Sequence, residues 1–321
     1  KDQHLILVTA TPHSGKEGEF RSLLGLLKPE FAEGDWDNEA KPLRTDLARY
    51  FVQRKRVNIA VWLDERTPFP KRTAIDFPYE LAPAYQTLYD ELLIHTSAMM
   101  QRSAANENQK RFRYWSVLAL LRGVMSSPEA GALMLETRAG AIKDDESGET
   151  SDSDNPHFER LDSSDDELPT PLLEKAEWKA ADNAAFLAFS KRLRELARTD
   201  ADVKIQACTL QIQKWHKDGY SPIVFCRYIQ TAKYVADQLA EVLGKQALIE
   251  CVTSEDPDEV RRDRIARMAP ELTGAKRRVL VATDCLSEGI NLQGLFDAVL
   301  HYDLPWNPNR QIGRASCRER V

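Results

Sequence analysis

No apolar run in this 321-residue chain approaches the ~18 residues that a membrane-spanning helix requires. Its five cysteines (Cys208, Cys226, Cys251, Cys285 and Cys317) are widely separated and contain no Cys-x-x-Cys pair. That spacing argues against a zinc site and against a disulfide framework, and it fits a reducing, cytoplasmic setting. No Gly-x-Gly-x-x-Gly follows an apolar run, so the fingerprint of a dinucleotide site is missing. A phosphate-cradling G-x-x-x-x-G-K loop is missing too. Ser14-Gly-Lys16 imitates its end, but the position that needs glycine is Ala10. No internal repeat is visible. The chain starts at Lys1 and runs directly into Leu5-Ile-Leu-Val8, which reads as a cut from something longer.

Hydrophobic residues make up 42% and charged residues 29%, the balance of a water-soluble globular protein. The length suggests about two domains at ~150 residues each. Net charge is −6, but it is unevenly placed. Residues 141–168 hold eleven acidic side chains against Lys143 and Arg160, a local −9 that leaves +3 for the rest. The acidic pI therefore does not argue against a nucleic-acid partner for the remainder of the chain.

Periodicity organises the rest. Leu5–Val8 predicts a buried strand, followed by Thr9-Ala-Thr-Pro12. Ser14 and Glu17 make a capping-box pattern for a helix whose apolar stripe is Phe20, Leu23, Leu24 and Leu27, closed by Pro29. Helical patterns dominate residues 36–140, at Tyr85–Met100 and Tyr114–Val124. Prolines make Thr67-Pro-Phe-Pro70 extended. The Asp-, Glu- and Ser-rich stretch 141–168 predicts a linker or surface loop.

From about residue 176 the pattern changes. Helices are expected at Ala180–Leu196 and Val203–Lys217. Short apolar runs then follow at Ile223–Cys226, Ala247–Val252, Val279–Ala282 and Ala298–Tyr302. A stripe of Val235, Leu239, Val242 and Leu243 lies between the first two and ends at Gly244. Asp256, Pro257 and Glu259 predict an N-cap, a first-turn proline and a capping box. Wholly apolar short strands alternating with helices predict a parallel sheet covered on both faces.

Ligands of such sheets bind beyond the carboxyl ends of the strands. Three segments are expected there: Thr9-Ala-Thr-Pro12, Phe225-Cys-Arg-Tyr228 and Ala282-Thr-Asp-Cys-Leu-Ser-Glu-Gly-Ile-Asn-Leu292. In the third, Thr283 offers a hydroxyl and a backbone N–H to a phosphate, and Asp284 can accept from a ribose hydroxyl. Gly289 permits close backbone approach. Taken alone, the same residues also make an ordinary capped loop.

In this order and spacing the segments resemble the motifs of superfamily-two helicase-like ATPases, specifically the Swi/Snf-like DNA translocases. Thr9-Ala-Thr-Pro-His-Ser-Gly15 is similar to their third motif and Ile223-Val-Phe-Cys-Arg-Tyr228 to their fourth. Val279-Leu-Val-Ala-Thr-Asp-Cys-Leu-Ser-Glu-Gly-Ile-Asn-Leu292 is similar to the fifth. Tyr302-Asp-Leu-Pro-Trp-Asn-Pro308 with Arg310 is similar to the approach to the sixth. Gln53-Arg-Lys-Arg56, Thr67-Pro-Phe-Pro70 and Tyr114-Trp-Ser-Val-Leu-Ala-Leu-Leu-Arg122 resemble, more narrowly, the helicase subunit of DISARM phage-defence systems.

The resemblance implies an α/β fold: a RecA-like C-terminal helicase lobe with a parallel sheet, a helical insertion and the tail end of a first RecA-like lobe. The expected divisions are 1–35 (end of lobe one), 36–140 (helical region), 141–175 (acidic linker), 176–311 (lobe two) and 312–321 (a tail). It implies a motor that moves on double-stranded DNA and hydrolyses ATP with Mg2+, both bound mainly by a lobe upstream of Lys1. Defence-system subunits are possible partners, and no membrane is expected. Thr9 and Thr11 would couple nucleotide state to lobe movement. Asp284, Glu288, Gly289 and Arg310 would face the nucleotide. Arg54, Arg56, Arg227 and Thr283 would meet DNA.

Asp64-Glu65 imitates the acidic pair of such a motor, but it follows the third motif instead of preceding it and reads as solvated, as do Asp90-Glu91 and Asp166-Glu167. Without the phosphate loop and the acidic pair, the chain alone is expected to be inactive. Ile312–Val321 nearly imitates the sixth motif, but its first arginine is absent and its spacing is one short. It reads as a non-native, adapter-derived tail, which would make Arg314 and Arg318 false arginine fingers. The alternative to a motor is a RecA-like module that binds a nucleotide or partner without turnover. A third reading is a docking scaffold built on the helical and acidic stretches.

Overall fold

The computed structural model describes residues 5–9, 17–34, 36, 40–53, 74–101, 107–140, 180–269, 277–286, 292 and 294–305. Two units emerge, residues 1–75 and residues 76–321.

In the first unit, α1 (Glu17–Gly25) and α2 (Glu30–Glu33) pack together, with α3 (Ala40–Leu47) following. The expected stripe forms: Leu24 is buried, and Phe20, Leu23 and Leu27 are half-buried. α1 ends at Gly25, ahead of the proline expected to close it, and Pro29 instead takes the N-cap position of α2. Phe31 is fully buried and meets Tyr50 edge-to-face at 5.7 Å, while Phe20 meets Phe51 at 6.3 Å. Lys28 reaches Asp46 at 2.7 Å.

The strand expected at Leu5–Val8 does not form. Residues 5–9 are irregular, and Ile6 and Val8 are 84% and 92% exposed. A strand exists only by pairing, and among the described residues no neighbour pairs with this one.

The second unit joins a helical bundle to a sheet. α4 (Pro83–Gln101), α5 (Glu107–Ser126), α6 (Pro128–Arg138) and α7 (Ala180–Leu196) enclose Leu88, Leu92, Leu120, Val124, Leu135, Phe186 and Leu193. The first, second and fourth cover the predicted stretches; α6 was not foreseen. Ser127 starts α6, its hydroxyl accepting from the Ala130 N–H at 3.2 Å, and Pro128 occupies the first turn. Gly131 lets the helices close up. A Cβ there would lie 2.8 Å from the Val124 Cα and 3.1 Å from a Leu193 methyl.

α8 (Val203–Asp218) leads into the sheet, capped by Asp202 and ended by Gly219 at φ 97°. The strands are β1 (Pro222–Phe225), β2 (Ala247–Val252), β3 (Arg277–Ala282) and β4 (Ala298–His301). Between them lie α9 (Ile229–Leu243), ended at Gly244 as expected, and α10 (Asp258–Arg267). All pairs are parallel and the order is β2-β3-β1-β4.

Alternation splits the apolar runs between two layers. Val224, Cys226, Val279 and Val281 pack with Ile212, Val235 and Leu239 of α8 and α9. Ile223, Phe225, Leu280 and Ala282 pack on the opposite face with Ile265, Met268 and Leu286. Each such side chain contributes roughly 1.5–3 kcal/mol by leaving water, which explains why wholly apolar four-residue runs become strands here.

One cap reading needs correction. Pro257, not Asp256, holds the N-cap of α10, and it provides no side-chain bond. The Asp256 carboxylate turns back to accept from the Thr253 N–H at 3.1 Å and from Arg264 at 2.9 Å. A charged partner satisfies it better than a helix terminus would.

Candidate functional site

Parallel pairing brings the carboxyl ends of all four strands to one edge. Phe225 stands level with Ala282 and with His301, and Val252 stands level with Ala282. The segments just beyond therefore lie side by side: Cys226-Arg227, Thr253-Ser254, Thr283-Asp284 and Tyr302-Asp303.

Of the residues proposed from the sequence, Arg227, Thr283 and Asp284 share this edge. Arg227 is half-buried, its guanidinium 5.9 Å from the centre of the Tyr228 ring. Asp284 is half-buried and opens a single 3-10 turn, Asp284–Leu286. Thr9 belongs to the first unit, exposed in the irregular stretch. Thr11, Arg54, Arg56, Glu288, Gly289 and Arg310 lie outside the described residues, as do Ser14, Asp64-Glu65, Asp166-Glu167 and the tail. Asp90 and Glu91 are exposed on α4, where they pair with Gln86 and Arg192.

Thr283 does not offer the two open donors expected of it. Its side chain is 1% exposed, its N–H donates to the Val252 carbonyl at 3.2 Å, and its hydroxyl points to the Cys285 sulfur at 3.4 Å. The strand ladder extends one residue further than the apolar pattern suggested, and it consumes the backbone donor.

Beneath Arg227 lies a polar network that the sequence did not announce. Lys204, on the first turn of α8, donates to Asp303 Oδ1 at 2.6 Å and to the carbonyls of Met125 and Ser126 at 3.2 and 3.1 Å. Its ammonium also sits 4.3 Å from the centre of the Tyr302 ring. Asp303 Oδ2 accepts from the Arg227 N–H at 3.0 Å and from the Ser126 hydroxyl at 2.8 Å. The Lys204 and Asp303 side chains are only 15% and 10% exposed. Burial alone would raise the Asp303 carboxyl; the Lys204 charge and the three donors outweigh it and hold it below the usual value. Burial would lower Lys204, and Asp303 reverses that, so both partners stay charged.

The carboxylate also orders the hydroxyls around it. Ser126 must donate to it, because an ionised carboxylate only accepts. Ser126 therefore accepts from Thr231, at 2.8 Å, and Thr231 in turn accepts from Ser127, at 2.9 Å. Ser127 still accepts from the Ala130 N–H. One directed chain runs from the start of α6 through α9 to the end of β4.

A second buried carboxylate, Asp202, accepts from the Ile205 N–H at 3.2 Å and from the Tyr234 hydroxyl at 2.8 Å. Here burial prevails and raises the carboxyl above its ordinary value. Burial likewise pushes the Cys208 and Cys251 thiols up to about 12. The four described cysteines, Cys208, Cys226, Cys251 and Cys285, carry free thiols. Such protonated, enclosed thiols are poor nucleophiles. Among the described residues no group of three or more His, Cys, Asp or Glu side chains could hold a metal ion. No described helix is long and apolar enough to cross a membrane.

Residues 203–317 match the model of the helicase conserved C-terminal domain. The match covers α8 to β4 and runs past Gln311. Over 326 aligned residues the chain is 24% identical to the uncharacterized ATP-dependent helicase YqhH of Bacillus subtilis (strain 168), covering 97% of this chain and 48% of that protein. It thus spans about half the length of the curated relative it matches. The C-terminal part of the Fun30 ATPase domain is a structural neighbour at 15% identity and a TM-score of 0.45, covering 79% of this chain and 81% of that one. The four-stranded parallel sheet and its helices are the RecA-like fold of a helicase C-terminal domain.

Proposed function

We propose that this chain is the C-terminal portion of an ATP-dependent, Swi/Snf-like translocase that moves on double-stranded DNA, serving bacterial phage defence. The observation that carries the reading is the shared edge: Arg227, Thr283 and Asp284 stand side by side at the carboxyl ends of parallel strands, within a helicase C-terminal domain. An arginine at such an edge suits a backbone phosphate, and contacts to phosphates need no base readout. Arg54 and Arg56 would add to that contact. Thr283 would serve the same edge from beneath, by fixing the start of the 3-10 turn.

Asp284, with Glu288, Gly289 and Arg310, would face a nucleotide, and the Asp284 carboxylate suits a ribose hydroxyl. Thr9 and Thr11 would couple nucleotide state to movement. On the same reading, Mg2+ and most of the triphosphate would be held by a lobe upstream of Lys1. ATP, once bound, supplies the free energy of phosphoryl transfer; this chain's own share is to orient the nucleotide and to hold the DNA backbone. Residues 176–311 would form the second lobe and 36–140 a family-specific helical region.

The test is ATP turnover with and without duplex DNA. The full-length protein should hydrolyse ATP faster with DNA, and purified residues 1–311 should show no turnover. Robust turnover by residues 1–311 would refute the assignment of the catalytic parts to another segment. A full-length protein that binds nucleotide but never turns it over would favour a non-catalytic RecA-like module.

A further inference from the structure

We infer that Asp303 is a positioning residue that sets the Arg227 turn and ties it to the helical bundle. Three groups from three places converge on this carboxylate, the Lys204 ammonium of α8, the Ser126 hydroxyl at the end of α5 and the Arg227 N–H beyond β1, and Ser126 links it onward to the Thr231 hydroxyl of α9.

The backbone of the turn passes from the sheet to this carboxylate. The Cys226 N–H donates to Ala282 at 2.8 Å, the last rung shared with β3. One residue later the sheet no longer serves the backbone, and a carboxylate from the segment beyond β4 takes the Arg227 N–H. Asp303 therefore holds the backbone from which the Arg227 side chain departs. Lys204 fixes Asp303 from below, and it is itself held by the carbonyls of Met125 and Ser126 at the corner between α5 and α6. The bundle corner, the base of α8, the start of α9 and the tips of β1 and β4 consequently share one charged centre.

The direction of the hydroxyl chain adds a second reason. An ionised Asp303 permits one orientation only, Ser127 to Thr231 to Ser126 to carboxylate, and the first of these hydroxyls also caps α6. Displacing the bundle corner would pull on the carboxylate that holds Arg227. A neutral amide in its place would present one acceptor and one donor, and the donor would face either Lys204 or the pair formed by Ser126 and the Arg227 N–H. No orientation of the amide satisfies all of them.

The functional part of the inference rests on reading Arg227 as a DNA-backbone contact, so the experiment has two independent readouts. The first is amide hydrogen exchange at Arg227. Asp303→Asn should speed it by about 10- to 100-fold, the range for losing a hydrogen bond to a charged group. Exchange at Leu248 and Glu250, whose N–H groups face β3, should stay as it is. The second is duplex-DNA affinity of the full-length protein in a cycle of Arg227→Ala, Asp303→Asn and the double variant. If Asp303 acts through Arg227, the double variant is no weaker than Arg227→Ala alone, and the KM for ATP does not move.

Ser126→Ala keeps the Lys204–Asp303 pair and serves where Asp303→Asn fails to fold; it should show the same non-additivity at smaller size. Thr231→Ser keeps the hydroxyl chain and should retain the affinity of the unaltered protein. Unchanged exchange at Arg227 in both Asp303→Asn and Ser126→Ala, or additive losses of affinity, would overturn the inference. A silent Arg227→Ala with faster exchange in Asp303→Asn would instead refute the DNA contact and leave the positioning role standing.

Discussion

Leu5-Ile-Leu-Val8 and Pro222-Ile-Val-Phe225 are two short apolar runs of nearly the same character, each followed within a few residues by a polar segment. The second is β1, buried at every position between β3 and β4. The first is irregular and exposed along its length. Apolar composition does not make a strand; a neighbour offering backbone donors and acceptors does. β1 has two such neighbours in register, and it has a helical layer on each face to receive alternate side chains. Among the described residues, 5–8 have neither.

Truncations at matched positions widen that contrast. Phe225→Ala empties a fully buried site between β1 and α10, and it should cost about 3–5 kcal/mol in urea unfolding of the second unit. A loss under 1 kcal/mol would mean that the lower layer is looser than its packing implies.

Gly131→Ala carries the comparison to the helices. The new methyl would stand 2.8 Å from the Val124 backbone, which cannot rotate away, so a loss of about 1–3 kcal/mol is expected from overpacking. Gly18→Ala is the control: nothing lies within 4 Å of a Cβ there, and no loss should follow. Thermal melts of the two variants side by side decide the point.

Ile6→Ser should be the mildest change. An 84% exposed side chain has little burial to lose, and the effect in the same melts should stay within about 0.5 kcal/mol. A clear destabilisation would show that the run is covered in solution, and the contrast with β1 would dissolve.

The legible parts of the fold were those decided by short-range pattern. β2 matches its apolar run from Ala247 to Val252, α7 matches its predicted bounds, and α8 ends at Asp218, one residue beyond the predicted lysine. The short β3 and β1 were recognisable because every residue of the run is apolar. α6 was not, since its apolar positions crowd around Gly131 and Ala132 and show no clean stripe. Asp256 looked like a cap because its spacing to Glu259 is right, yet Arg264 lies one helical face further on and claims it. Within the candidate site, Arg227 and Asp284 were visible at strand tips. Lys204, Ser126 and Thr231 were not, because nothing local marks a lysine, a serine or a threonine whose partner lies 70 to 180 residues away.

By itself the sequence determined which stretches alternate, where α7, α8 and α9 run, that the sheet is parallel, and hence that the polar residues after β1 and β3 collect at one edge. Those properties follow from periodicity and from the few residues able to cap or turn a chain. Tertiary structure alone decided that Leu5–Val8 finds no strand partner among the described residues, that Thr283 turns inward, and that Asp303 becomes the charged centre joining bundle to sheet. Each of these depends on which group arrives from a distant part of the chain to take a proton, lend one, or exclude water, and no local pattern encodes that arrival.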